Sequence, residues 1–255
     1  VALKTPDIDK LFARHTEQGI AVSSSVKTDP FGRRTYHTRD PYGNLFQIVS
    51  NDDVYARTSH PCGGVLGVTV GVSEIEAARP LYAQVLGYDE ELGATEGVFE
   101  DYGGVDGGEQ HLERVLLGRS GPGEGAFGAF YGASTVELVS CRDRTPQKIY
   151  EGRYWGDCGF IHICFDVHDM GSLKKKSAER GFPFTVDSGD AFDMGDAAGR
   201  FGYTEDPDGT LIEFVETFKM PILAKLGWNL DLSRRDPTKP LPGWMLKALR
   251  LARVR

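Results

Sequence analysis

The sequence predicts an α+β fold in which repeated βαβββ modules pair into a cupped, barrel-like mixed sheet, with a C-terminal helical tail. Three observations predict it. First, a strand, Asp-Pro-x-Gly turn, strand signature occurs at Tyr36–Val49 (turn Asp40-Pro41-Tyr42-Gly43) and at Gly202–Val215 (turn Asp206-Pro207-Asp208-Gly209), with a Pro-less echo at Phe127–Val139. Proline presets φ, and glycine supplies the positive φ that such a turn needs. Second, the apolar strands Val65–Val72 and Phe160–Val167 each lead into a helical stretch. Third, a four-stranded curved sheet with one apolar face must bury that face against a partner.

The elements follow in order. Module one, 1–52, opens on a strand stub, Val1–Lys4, and continues into a helix over Asp7–Gln18 stopped by Gly19. Module two, 63–142, has the strand Val65–Val72 and a helix over Ser73–Leu86, with Ile75, Ala78, Leu81, Tyr82 and Val85 at helical spacing. Its glycine clusters at 103–108 and 121–125 read as hairpin loops. Module three, 158–218, has the strand Phe160–Val167, a capping turn at His168-Asp169, and a helix over Ser172–Arg180 stopped by Gly181. Modules two and three, together 63–218, are expected to pair into one eight-stranded cup. Module one then lacks a partner and most of its first strand. The polypeptide is therefore expected to continue upstream of Val1, or to pair module one with a second copy in a homodimer. Residues 219–255 form a basic helical tail with nine Lys/Arg against Asp231 and Asp236, packing through Leu223, Leu226, Trp228, Trp244, Leu246 and Leu249.

Composition excludes some functions. The 255-residue chain carries 29 Lys+Arg against 37 Asp+Glu, a net charge of −8, the wrong sign for neutralising phosphates, so nucleic acid is not an expected partner. No apolar run approaches the roughly 18 residues of a transmembrane helix, so no membrane partner is expected either. Cys62, Cys141, Cys158 and Cys164 match no CxxC spacing and suit a reduced, cytoplasmic setting.

The chemistry concentrates at equivalent points of the repeats. Gly67 and His162 align in the first strands, and Gln47, Glu137 and Glu213 align in the last. Alternation puts Glu213 on a face with Leu211 and Val215, and His162 on a face with Phe160 and Cys164. Buried carboxylates and imidazoles are costly unless paired or metal-bound. His162, Glu137 and Glu213 are therefore the expected ligands of a divalent metal, with Glu137 or Glu213 serving also as the catalytic base. His37 and His111 read as exposed strand residues, and Glu216 as one step out of phase with Glu213.

The segments Phe160–Val167 and Glu205–Val215, with weaker echoes at Thr135–Val139 and Arg39–Val49, resemble the vicinal oxygen chelate superfamily. That group includes glyoxalase I, methylmalonyl-CoA epimerase, extradiol dioxygenases, and the fosfomycin and bleomycin resistance proteins. The resemblance covers most of residues 1–218. It implies a metal-dependent, glyoxalase-like isomerase, epimerase or lyase acting on a small oxygenated substrate that chelates the ion, with ligand roles for His162, Glu213 and Glu137. Mn, Fe, Zn or Ni would serve, and two carboxylates favour the harder Mn²⁺ or Fe²⁺. Gly67 departs from the family, whose glyoxalase I type has a histidine there. The alternative reading is a metal-free small-molecule-binding protein of the bleomycin-resistance type, and the third a ring-cleaving dioxygenase.

Overall fold

The computed structural model describes residues 1–23, 25–121, 125–144, 146–149, 151–189, 192–193, 198–223, 228–233 and 235–248. The chain divides into two units. The first comprises Val1–Gly121, Tyr131–Ile161 and Pro207–Thr210, and the second Pro122–Phe130, His162–Asp206 and Leu211–Arg255.

In module one, β1 (Ala2–Thr5), α1 (Ile8–Glu17), β2 (Lys27–Thr28), β3 (Arg34–Arg39) and β4 (Leu45–Ser50) follow the predicted order. In module two, β5 (Val65–Val72), α2 (Ile75–Pro80), β6 (Glu90–Gly97), β7 (Leu112–Gly118) and β8 (Thr135–Cys141) do the same, with α3 (Gly128–Tyr131) between β7 and β8. Among the described residues these strands join one sheet in the order β2-β3-β4-β1-β5-β8-β7-β6.

The eight-stranded sheet thus takes its halves from modules one and two, whereas the sequence predicts modules two and three. The cause is β1, which is short but central. Its residues Ala2–Thr5 pair in parallel with Gln47–Ser50 of β4. On its other edge Ala2 and Leu3 pair antiparallel with Gly67 and Val65 of β5. A central strand is hydrogen-bonded along both edges, so four residues suffice to join the two modules.

The helices α1 and α2 cover one face of the sheet. The Asp7 side chain caps α1 by accepting from Lys10 N at 3.1 Å, and Ile8 and Leu11 pack on Tyr36 and Ile48. Alternation therefore sends Thr35, His37, Gln47 and Val49 to the opposite face. Ile75, Ala78, Leu81, Tyr82 and Val85 are all buried, as the helical spacing requires. The predicted helix is nevertheless divided, because Pro80 has no N–H to donate; Leu81–Val85 continue as a π-turn closed by Leu86 N to Leu81 O at 3.0 Å. The sheet curls enough to bring the 3₁₀ turn Glu100–Tyr102, which follows β6, back against β3. There His37 Nδ1 lies 3.1 Å from Asp101 O, and Lys27 Nζ lies 3.3 Å from Glu100.

The second unit holds β9 (Ile163–Asp166), α4 (Met170–Glu179), β10 (Val186–Asp187), β11 (Phe192–Asp193), β12 (Ala198–Glu205), β13 (Leu211–Leu223), β14 (Trp228–Asp231) and α5 (Gly243–Ala248). Its sheet runs β10-β12-β13-β14, with β11 on β12 and β9 parallel to β13. Asp169 caps α4 as predicted, accepting from Ser172 N at 3.2 Å with φ at +56°. The tail begins as strand, since β13 runs through Lys219 and pairs with β14 before α5. Leu246 is buried, whereas Trp244 is 61% exposed. Leu226 and Leu249, and the side chains of Leu223 and Trp228, lie outside the described residues.

Candidate functional site

The face of the first sheet turned away from α1 and α2 is buried yet polar. On β7, Arg114 pairs with Val139, and Leu116 pairs with Glu137. Arg114 and Glu137 are therefore diagonal neighbours on one face. Arg114, fully buried, places Nη2 at 2.7 Å and Nε at 2.8 Å from Glu137 Oε1, and its Nη1 at 2.9 and 3.0 Å from the two Asp101 oxygens. The Tyr102 hydroxyl donates to Glu137 Oε1 at 3.2 Å, and Arg33 Nη2 reaches Oε2 at 3.2 Å. Asp29 holds Arg33 through Nε at 2.7 Å. Phe31, Phe99 and Tyr102 lay their rings 5.5, 4.8 and 4.1 Å from the Arg114 guanidinium.

Titration follows from this packing. Burial alone would lower the Arg114 pKa, but Glu137, then Tyr102 and Asp101, hold it above the ordinary guanidinium value. Burial and the Glu137 charge raise Tyr102, which stays protonated. His37 is 1% exposed, not a surface residue as predicted, because β3 places it on the enclosed face. Burial lowers its pKa to about 4 against the pull of the Asp101 carbonyl, with Arg114 adding to the decrease. His37 is thus neutral at pH 7. A carbonyl only accepts, so Nδ1 carries the proton and Nε2 the lone pair.

The second unit brings two predicted residues together. His162 stands one residue ahead of β9, and its Nε2 is 2.9 Å from Glu213 Oε2. Tyr203 of β12 lies directly across from Glu213 and donates to Oε1 at 2.7 Å, with its ring edge-on to His162 at 5.8 Å. Cys164 pairs with Glu213 across β9 and β13; desolvation first, then the Glu213 charge, push its thiol up to about 12. Glu216, on the opposite phase, is buried at the start of α4. It accepts from Asp169 N at 2.8 Å, Met170 N at 3.2 Å and Arg200 Nε at 2.7 Å. Burial and the Glu216 charge raise Asp166 to about 6.

The donor set of the first unit does not fit a divalent ion. Glu137 is the carboxylate at the expected ligand point, but two guanidiniums already occupy its oxygens, and a dication beside them would be repelled. Gly67 offers no donor, and a Cβ there would lie 1.9 Å from the Thr135 carbonyl oxygen, so no larger side chain fits on this backbone. In the second unit His162 and Glu213 supply two donors. Among the described residues no group of three or more His, Cys, Asp or Glu is placed to hold a metal ion.

Arg33, Asp29, Asp101, Tyr102, Arg114 and His37 were not among the predicted site residues, yet two signals were present. Leu112, Arg114 and Leu116 alternate onto one apolar face of β7, the same argument that selects Glu213. Asp29-Pro30-Phe31-Gly32 repeats the Asp-Pro-x-Gly turn and presents Arg33 directly after it.

A family model described as the Glyoxalase/Bleomycin resistance protein/Dioxygenase superfamily matches residues 1–48 and 64–214. Among solved structures, a glyoxalase I mutant from Zea mays is 17% identical, with 84% of this chain and 66% of that one covered and a TM-score of 0.54. A putative dioxygenase from Bacillus subtilis is 14% identical, with 84% and 60% covered and a TM-score of 0.51. The chain thus spans less than two thirds of the length of either, and at these identities the likeness shows the fold. No curated protein matches the chain. No helix among the described residues is long and apolar enough to cross a membrane.

Proposed function

The chain belongs to the Glyoxalase/Bleomycin resistance protein/Dioxygenase superfamily, and from that premise we propose that its first unit binds a small oxygenated molecule without a resident divalent metal. The observation that carries this reading is the Arg114–Glu137 contact at 2.7 Å, in which a buried guanidinium engages the carboxylate that the metal reading needs as a ligand. Gly67, closed to any side chain by the Thr135 carbonyl, supports it. On this face the chain's own residues do the binding. The ion pairs and the Tyr102 hydroxyl keep Glu137 fixed, and neutral His37 leaves an acceptor nitrogen for a ligand donor.

The His162–Glu213 contact favours a second reading, a metal-dependent isomerase, epimerase or lyase centred on the second unit. A divalent ion held there would supply Lewis-acid polarisation of a substrate oxygen. Glu213, fixed by Tyr203, would take the substrate proton.

Equilibrium dialysis of the full chain against Mn²⁺, Fe²⁺, Zn²⁺ and Ni²⁺ separates the two. The first reading expects no ion bound stoichiometrically. One ion per chain, lost in His162→Ala, replaces it with the second. One ion per chain retained in His162→Ala but lost in Glu137→Gln overturns the proposed role of the first unit.

A further inference from the structure

The geometry points to an uncharged ligand with an amide-type edge, a hydrogen-bond donor and an acceptor on neighbouring atoms, read by Gln47 in the first unit. This assignment rests on the metal-free binding reading and adds the ligand's chemistry to it.

Gln47 lies on β4 and is 4% exposed, and neither Nε2 nor Oε1 has a hydrogen-bond partner. A side-chain amide offers two donor hydrogens and two acceptor lone pairs. Burying such groups unpaired is costly, which is why buried polar atoms in folded proteins are nearly always satisfied. Its neighbours in register do not satisfy it. Ala2, on one side, has no polar side-chain atom. His37, on the other, directs its Nδ1–H to the Asp101 carbonyl at 3.1 Å. The Ser23 hydroxyl is a second buried group without a partner, and its backbone N donates to His37 O at 2.9 Å. Nη2 of Arg114 also lacks a hydrogen bond but lies 2.7 Å from Glu137 Oε1 as an ion pair. The groups of this face left for a ligand are therefore the amide, the Ser23 hydroxyl and the neutral His37 Nε2.

The charged groups of the same face are already matched. The His37 ring lies 5.3 Å from that of Tyr102, tilted by 46°, and Tyr102 joins the Arg114 and Glu137 network. That network holds Arg33 and Arg114 against Asp29, Asp101 and Glu137, with each guanidinium bound to carboxylates. The formal sum of that network is 2 − 3 = −1. The other side-chain cations of the face, Lys4 and Arg39, lie 3.6 Å from Asp53 and 3.0 Å from Asp106, so each side-chain cation already faces a carboxylate. A primary carboxamide or a lactam pairs with Gln47 in both directions at once and brings no charge to bury.

The test uses the full chain and Gln47→Met, which keeps the length of the side chain and removes its hydrogen bonding. Without ligand, Gln47→Met is expected to unfold at a higher temperature than wild type, by about 3 °C or more. Benzamide is expected to raise the unfolding temperature of wild type and to bind Gln47→Met at least tenfold more weakly. Benzoate is expected to bind neither. A less stable Gln47→Met would show that the amide is already satisfied in the folded protein, by buried water for example, and overturns the assignment. Benzamide that binds both proteins alike, or does not bind wild type, overturns it as well. Acetophenone, an acceptor without a donor, marks the difference from the parent reading. If it binds wild type and Gln47→Met equally while benzamide shows no preference, the binding site stands and the amide assignment falls.

Discussion

Arg114 makes the first unit's polar face a matched set of charges, and its removal has a calculable consequence. Arg114→Met leaves Asp101 and Glu137 buried without their main partner. Breaking a buried pair in this way typically costs about 3–5 kcal/mol. Urea unfolding should show a loss of that order, and a variant within about 1 kcal/mol of wild type would contradict the described network. His37 sets a pH dependence whose sign is fixed by its lowered pKa. The unfolded chain takes up the proton near pH 6.5, the folded chain only near 4. The stability that neutral His37 contributes is therefore present above about pH 6.5 and is lost as pH falls toward 4, by roughly 3 kcal/mol in total. His37→Asn, whose amide can still donate to the Asp101 carbonyl, should flatten that part of the profile. An unchanged slope between pH 6.5 and 4 in chemical denaturation would assign it to other groups.

At the level of elements, β5 is defined by how closely it meets β8. Gly67 pairs with Thr135 and Gly71 with Val139 in the same parallel ladder, yet the two glycines differ in space. A Cβ at Gly67 would meet the Thr135 carbonyl oxygen at 1.9 Å, whereas nothing lies within 4 Å of one at Gly71. Gly67→Ala should therefore destabilise by about 1–3 kcal/mol, the usual range for overpacking. Gly71→Ala should be neutral or stabilising by up to about 1 kcal/mol, since glycine weakens a strand interior. Thermal unfolding of the two single variants checks the contrast, and equal effects would refute it. The same contact explains why a histidine at position 67 would not restore a ligand without moving β5 away from β8. Such steric exclusion was invisible in the sequence, where Gly67 read simply as a missing donor. The helices were more legible. The Asp169 cap, the Gly19 and Gly181 stops and the apolar spacing of Ile75–Val85 all act within a few residues of chain.

Across the whole molecule, the net charge of −8 predicts no retention of duplex DNA at 0.15 M salt, and saturable binding in fluorescence anisotropy would contradict it. The sequence by itself determined the repeated βαβββ pattern, its turns and helix ends, and the family, because each depends on residues close together in the chain. Period-two and period-3.6 patterning, caps and Asp-Pro-x-Gly turns are local and survive in a string of letters. It also singled out His162 and Glu213 as members of one site, from matching points of the repeats. Only the tertiary structure decided which modules share a sheet, because strand pairing depends on both edges of β1 and not on its length. Only the tertiary structure showed that Glu137 is held by Arg33 and Arg114, residues 104 and 23 positions away in sequence. It also buried Gln47 without a partner. Which charge a buried carboxylate meets, and whether a buried amide meets anything, is set by the curl of the sheet, and no local pattern encodes that curl.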